Sequence, residues 1–257
     1  MYLRGRMAQF PHDKIKPFKE EIGKKEQVSA MFDAIAFRYD FMNRFLSAGI
    51  DIGWRKKAID LFKKEAPQHL LDVATGTGDM AIMAAKRLHL KKITGIDISP
   101  KMLEIGRKKV LKENLSTEIE LLSGDSETIN FSHDSFDGVM VAFGLRNFEN
   151  LEKGLQEILR VMKPGALMVA LEFSKPRTGP VRWFYQFYMG KIAPQMAKWF
   201  HQNKEAYQYL NESAKAFPDQ KDFVQILNNV GFSDTSFKPL SLGICCIYCG
   251  RKSGPQR

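Results

Sequence analysis

The run Leu70-Leu71-Asp72-Val73-Ala74-Thr75-Gly76-Thr77-Gly78-Asp79 constrains the fold more than any other part of the chain: an apolar strand ends in a Gly-x-Gly turn and passes at once into a helix. Glycine turns tightly and lets backbone approach a ligand closely, so a turn of this kind at the end of a buried strand marks a binding edge. From residue 69 onward short β-rich runs alternate with helical stretches, which predicts an α/β fold with a mostly parallel, doubly wound sheet and helices on both faces. The pattern places strands over 69–74, 92–97, 118–123, 136–142 and 166–173, and helices starting near Gly78, Ser99, Leu151 and Asp219. Two closing strands, 234–239 and 243–249, follow around a short turn at Leu240 to Gly243.

Ahead of the core, Val28, Met31, Phe32, Ile35, Tyr39, Met42 and Phe45 recur at helical spacing and predict amphipathic helices. Between Lys175 and Asp219 a helical stretch carries Trp183, Phe184, Tyr185, Phe187, Tyr188, Trp199, Phe200, Tyr207 and Tyr209, and reads as a lid. With no internal repeat or low-complexity segment, one domain over 1–257 is expected: a helical leader (1–55), a core (56–174), a lid (175–218) and a C-terminal helix and hairpin (219–252).

Composition removes several classes. The longest apolar runs, 166–173 and 243–249, are far short of the roughly 20 residues that span a bilayer. Arg4 and Arg6 are followed by no apolar segment, so no secretory signal is readable and a cytoplasmic location is expected. Cys245, Cys246 and Cys249 lack the fourth ligand of a zinc site and read as small residues of the last strand, so no metal is expected. The net charge of +10 is spread over runs such as 14–25, 55–64 and 101–112, where solvated helix faces are the simplest reading.

The loops hold the chemistry. The third glycine of a dinucleotide fingerprint is replaced by Ala81, and Asp79 stands at the helix start, where a pyrophosphate would be repelled. S-adenosylmethionine has no phosphate and carries a sulfonium and an ammonium, so an acidic loop suits it. The second strand closes on Asp97, about twenty residues after the turn, where a carboxylate binds both ribose hydroxyls. The third gives Gly124-Asp125-Ser126, with Asp125 placed to accept from the adenine amino group. Gly76, Gly78, Asp97, Asp125 and Ser126 are the cofactor-binding candidates.

Two further stretches carry a resemblance. Tyr39-Asp40-x-Met42-Asn43-x-x-Leu46-Ser47, followed by Trp54, and Arg160-Val161-Met162-Lys163-Pro164-Gly165-Ala166 with Leu171-Glu172-Phe173-Ser174 resemble the two signatures of the menaquinone/ubiquinone C-methyltransferases, and the likeness runs from Val28 to Lys252. Asp51 stands where that pattern usually has His, and Ala166 replaces a glycine. The resemblance implies a class I methyltransferase fold with seven strands, one antiparallel. It implies cofactor roles for Thr77, Asp97, Asp125 and Ser126. It also implies methyl transfer from S-adenosylmethionine to a ring carbon of a polyprenylated hydroquinone, demethylmenaquinol ahead of the ubiquinone-pathway benzoquinol.

Such a ring carbon becomes nucleophilic when a ring hydroxyl is deprotonated. Arg146, in the loop after the fourth strand, is the first candidate for stabilising that oxyanion. Tyr39, Asp40, Glu172 and His201 are candidates to relay the proton. The lid aromatics suit a prenyl tail, and with Arg182, Lys191 and Lys198 they fit peripheral contact with an anionic membrane. A nucleic-acid partner is not expected: Phe143-Gly144-Leu145-Arg146 occupies the loop where base-amine methyltransferases carry Asn/Asp-Pro-Pro-Tyr/Phe. The rival readings are an RNA methyltransferase and a non-catalytic scaffold of quinone biosynthesis.

Overall fold

The computed structural model describes residues 10–18, 21–177, 179, 183 and 204–254. Strands β1 (His69–Val73), β2 (Lys92–Asp97), β3 (Ile119–Ser123), β4 (Phe136–Ala142), β5 (Met162–Phe173), β6 (Phe232–Leu240) and β7 (Cys245–Lys252) form one sheet in the order β3-β2-β1-β4-β5-β7-β6. The first five are parallel, and β7 runs antiparallel between β5 and β6. The expected seven-stranded sheet with an antiparallel closing strand is present.

The period-two alternation of the strands divides the core into two layers. Leu71, Val73, Met168, Ala170, Cys246 and Tyr248 face one side, under α5 (Leu151–Val161) and α7 (Lys221–Val230). Leu70, Leu167, Val169, Leu171, Cys245 and Ile247 face the other, under α2 (Ile50–Ile59), α3 (Asp79–Arg87) and α4 (Pro100–Lys112). Neighbouring Cys245 and Cys246 thus enter opposite cores, and among the described residues no group of three metal-ligating side chains occurs.

A third cluster joins α1 (Lys24–Leu46) to α4 and to α6 (Lys204–Ala216) through Val28, Met31, Met102 and Tyr209. It lays α1 beside the carboxyl ends of the parallel strands. Gly106 lets α4 pack closely on β3 and the turn after β1, since a Cβ there would lie 2.7 Å from Leu121 Cδ1 and 3.1 Å from the Thr77 carbonyl carbon.

Several boundaries differ from the sequence pattern. β5 begins at Met162, four residues early, because Met162 pairs with Phe136 before a register shift absorbs Lys163-Pro164-Gly165, with Gly165 at φ +80°. β7 continues past 249 because Arg251 pairs with Leu167 and its guanidinium grips Glu65. α1 starts at Lys24, where Glu26 accepts the Gly23 amide hydrogen. Most of the expected lid lies outside the described residues, including His201, Arg182, Lys191, Lys198 and the aromatics between 184 and 200. Its described end, α6, is helical as expected. No helix among the described residues is long and apolar enough to cross a membrane.

Candidate functional site

The turn after β1 is left-handed at three points: Ala74 (φ 55°), Gly76 (φ 57°) and Gly78 (φ 76°). A Cβ on Gly76 would meet nothing within 4 Å, so this glycine is needed for conformation and presents bare backbone to open space. Asp97 fastens the turn to β2: its Oδ2 accepts the Gly76 amide at 2.8 Å and its Oδ1 the Ser99 amide at 2.9 Å. Burial raises the Asp97 pKa against these hydrogen bonds.

A cleft open to solvent lies over the carboxyl ends of β1 to β4. Gly76, Asp97, Asp125 and Ser126 line one side, Ile98 and Met102 supply apolar surface, and Phe143, Gly144 and Asn147 line the other. Val28, Phe32 and Tyr39 of α1 close over it. Asp125 is not free: Lys25 donates to its Oδ2 at 2.5 Å and the Glu127 amide to its Oδ1 at 2.9 Å. Burial pushes the Asp125 carboxyl up, but these donors outweigh it and hold its pKa below the usual range.

A second lobe shares Tyr39, Ala74, Gly76 and Ala142 with the first and reaches Asp40, Asp72, Thr77 and Asp79. An alternating chain of charges surrounds it. Asp51 receives both Arg44 and Arg55; Arg44 also reaches Asp79 at 2.9 Å. Lys109 pairs with Asp79 and, at 2.8 Å, with Asp40 Oδ2, whose Oδ1 accepts the Thr77 hydroxyl at 2.6 Å. Burial raises the Asp79 carboxyl and Lys109 and Arg55 and Arg44 more than reverse this, leaving its pKa lowered.

Asp72 lines the same lobe but, unlike Asp79, makes no ion pair among the described residues. Asp72 is 1% exposed; its Oδ2 accepts the Thr75 hydroxyl at 2.6 Å and its Oδ1 takes no hydrogen bond among the described residues. Burial pushes its pKa up to about 7. Sequence reasoning passed over it as part of an apolar strand; an acid four residues before Gly76 in an otherwise apolar run was the available signal.

On the acceptor side, Arg146 is 3% exposed and turned inward. Its Nη1 donates to Glu172 Oε1 and to the Phe143 carbonyl, each at 2.7 Å, and its guanidinium lies 5.3 Å from the centroid of the Phe173 ring. Its neighbour Asn147 reaches the cleft instead, with Oδ1 accepting from Tyr209 Oη at 3.2 Å. Burial raises the Tyr39 hydroxyl pKa, with the Arg146 charge opposing. The structure thus brings Tyr39, Asp97, Asp125, Ser126 and Gly76 to the main cleft and Asp40 and Thr77 to the second lobe, and sets Arg146 and Glu172 behind the wall.

The basic runs are not only solvated faces. Lys24 and Arg55 are buried, and Lys109 is drawn into the charge chain. The sequence of each run is the same whichever way its cations point, so only packing reveals the difference.

The sequence profile of the ubiE/COQ5 methyltransferase family matches residues 20–252. A demethylmenaquinone methyltransferase of Bacteroides fragilis is 43% identical over 243 residues, 95% of this chain and 99% of the relative. A ubiquinone/menaquinone biosynthesis C-methyltransferase UbiE of Geotalea daltonii is 43% identical over 230 residues, 89% of this chain and 97% of the relative. Among solved structures, a SAM-dependent methyltransferase of Thermotoga maritima superposes with TM-score 0.62 at 17% identity, covering 88% of this chain and 100% of that one. Phosphoethanolamine N-methyltransferase 2 of Haemonchus contortus, in complex with S-adenosyl-L-methionine, gives 0.56 at 16%, covering 77% of this chain and 52% of that one. The structural likeness establishes the class I methyltransferase fold.

Proposed function

The chain belongs to the ubiE/COQ5 methyltransferase family, and from that premise we propose that it methylates a ring carbon of a polyprenylated hydroquinone, demethylmenaquinol first, with S-adenosylmethionine as donor. The observation that carries this reading is the set of acids around the Gly76 turn, each matched to a different donor of one ligand. Asp97 keeps a lone pair on each oxygen after accepting two amides, which suits two ribose hydroxyls. Asp125 and Ser126 suit the adenine edge, with Ile98 and Met102 for its face. Asp72 offers an oxygen without a partner among the described residues to an ammonium. Thr77, its hydroxyl held between Asp40 and Lys109, shapes the turn between Gly76 and Gly78.

S-adenosylmethionine supplies an electrophilic methyl group when bound. The chain's own residues must make the acceptor carbon electron-rich and keep water out. Tyr39 and Asn147 both line the cleft and are placed to hydrogen-bond ring oxygens; Tyr39 relays the proton lost from the ring only by giving up its own hydroxyl proton as it accepts another. Arg146, paired with Glu172 behind the wall, acts through Tyr39, whose hydroxyl it makes more acidic against the effect of burial. Asp40 fixes Lys109 and Thr77 beneath Tyr39. The exposed Phe37, 91% accessible, on the outer side of α1 supports peripheral contact with a lipid surface that holds the tailed acceptor, which co-sedimentation with anionic vesicles tests.

The role of Asp72 gives a signed expectation. Its carboxyl is ionised only above about 7, so cofactor affinity rises with pH through that value and levels off above it. Because the folded pKa is raised, the buried charge costs stability at high pH: the folded state holds the proton between the unfolded value and about 7, and stability falls as pH climbs through that window. Asp72→Asn should therefore bind S-adenosylmethionine about tenfold or more weakly at pH 8 while the ligand-free Tm is higher by roughly 2–4 °C. A lower Tm together with unchanged affinity would refute the assignment.

The reading as a whole is tested by supplying reduced demethylmenaquinone and, separately, a demethylated benzoquinol to the purified chain and measuring S-adenosylhomocysteine. Release with the naphthoquinol is expected; release with both would give the second reading, a dual-pathway enzyme, which the name of the Geotalea relative favours. No release with either would remove the quinol assignment.

A further inference from the structure

We infer that Lys24 is a positioning residue of the acceptor site: its buried ammonium ties the start of α1 to the loop after β4 and so sets the spacing of Tyr39 and Asn147 across the cleft. The inference rests on the proposed acceptor site.

Lys24 is 1% exposed, in a run where every neighbouring lysine could face water. Its Nζ donates to the carbonyls of His12 at 2.8 Å, Phe148 at 2.8 Å and Arg146 at 3.4 Å, so three donors meet three acceptors. Its own amide donates to Glu149 Oε1 at 2.8 Å. Two of the carbonyls belong to the short turn Leu145–Asn147 and the residue that ends it, where helical hydrogen bonding runs out. An ammonium buried without such partners costs several kcal/mol, so an apolar residue would serve better if packing were the whole task.

Lys25 makes the companion contact, with Asp125 at 2.5 Å and Glu127 at 3.6 Å. The first turn of α1 is thus clipped to two of the loops that line the cleft, those after β3 and β4. From this anchor α1 runs past Phe32 to Tyr39, and the clamped turn carries Asn147; all three side chains line the cleft.

The groups facing Lys24 are Asp13 and neutral His12 from the leader, Glu149 and Arg146 from the clamped loop, and Glu127 from the loop after β3. Burial pulls the Lys24 pKa down to about 8 against the three carboxylates, and burial with the Lys24 charge takes His12 to about 3. Above about 8 the third hydrogen bond is lost and the clamp loosens. The linked stability moves the other way: between about 8 and the unfolded value the unfolded chain binds more protons, so this group stabilises folding as pH rises. An alkaline loss of turnover without a loss of Tm is the signature.

The test uses Lys24→Met and Lys24→Arg in the full chain. Lys24→Met is expected to lower kcat/KM for the reduced acceptor about 10- to 100-fold, with cofactor Kd within about twofold by calorimetry. Amide exchange across 143–149 should quicken. Lys24→Arg, charged at all working pH values, should lose the alkaline fall in kcat/KM seen in the native chain, and it decides the question if Lys24→Met does not fold. Native exchange with native kcat/KM in Lys24→Met overturns the inference, as does a joint fall of cofactor affinity, Tm and turnover. If the native chain turns over no quinol, the family reading fails by itself, and the exchange of 143–149 still decides the role of Lys24.

Discussion

Glu172→Gln destabilises the chain by about 3–5 kcal/mol and abolishes methyl transfer, because it strands the charge of Arg146 in the interior. Arg146 is 3% exposed and Glu172 is fully buried, and their 2.7 Å contact is the centre of a small polar island. Glu172 Oε1 also accepts the Phe173 amide at 2.9 Å, and Arg146 Nη1 also donates to the Phe143 carbonyl. Arg146→Met leaves a carboxylate in the same position and is equally costly. The double variant Arg146→Met/Glu172→Leu removes both charges and should recover most of the stability in urea titrations while staying inactive. Single and double variants of equal stability would show that the pair is not coupled, and an active double variant would remove Arg146 from the acceptor site.

Asp97→Ala is expected to lower affinity for S-adenosylmethionine by about two orders of magnitude or more, since the two charge-assisted hydrogen bonds proposed to ribose, each worth about 1.5–3 kcal/mol, would be lost together. The loss is compounded because the Gly76 amide gives up its acceptor and the left-handed turn is no longer fixed to β2. Asp97→Asn keeps one oxygen acceptor and should lose about tenfold. Affinity in the native chain falls as pH drops through the raised Asp97 pKa, because only the carboxylate accepts from both hydroxyls. Calorimetric titration of the three proteins checks the order; native affinity in Asp97→Ala would mean that the cofactor lies elsewhere.

The sheet was legible because its information is local. Leu70 and Leu71, or Cys245 and Cys246, are adjacent in sequence and enter opposite cores, and period two announces that without knowledge of any partner. That Gly76, Asp97, Asp125 and Ser126 line one cleft was legible for the same reason: each lies at or just past the end of a strand, and the parallel sheet gathers strand ends at one edge. What stayed hidden depends on distant pairings. Arg146 turns inward to meet Glu172, 26 positions on, so the cleft is left to Asn147 beside it. Asp79 is neutralised by Arg44 and Lys109 from two other helices, which leaves the buried Asp72 as the acid proposed to meet the cofactor's ammonium. Lys24 lies in a run that composition assigns to water, and only the carbonyls of His12, Arg146 and Phe148 draw it inside. The register shift in β5 is a further case, because Pro164 and Gly165 signal a turn even though the strand has already begun.

Methyl transfer to carbon rather than oxygen is read by incubating the purified chain with S-adenosylmethionine labelled with ¹³C in the transferred methyl and reduced demethylmenaquinone, then recording the ¹³C spectrum of the extracted quinone. A single labelled methyl bonded to the ring carbon between the oxygen-bearing carbon and the prenylated carbon is the predicted result. Label on oxygen, or none in the quinone while the cofactor remains bound to the chain, would contradict it.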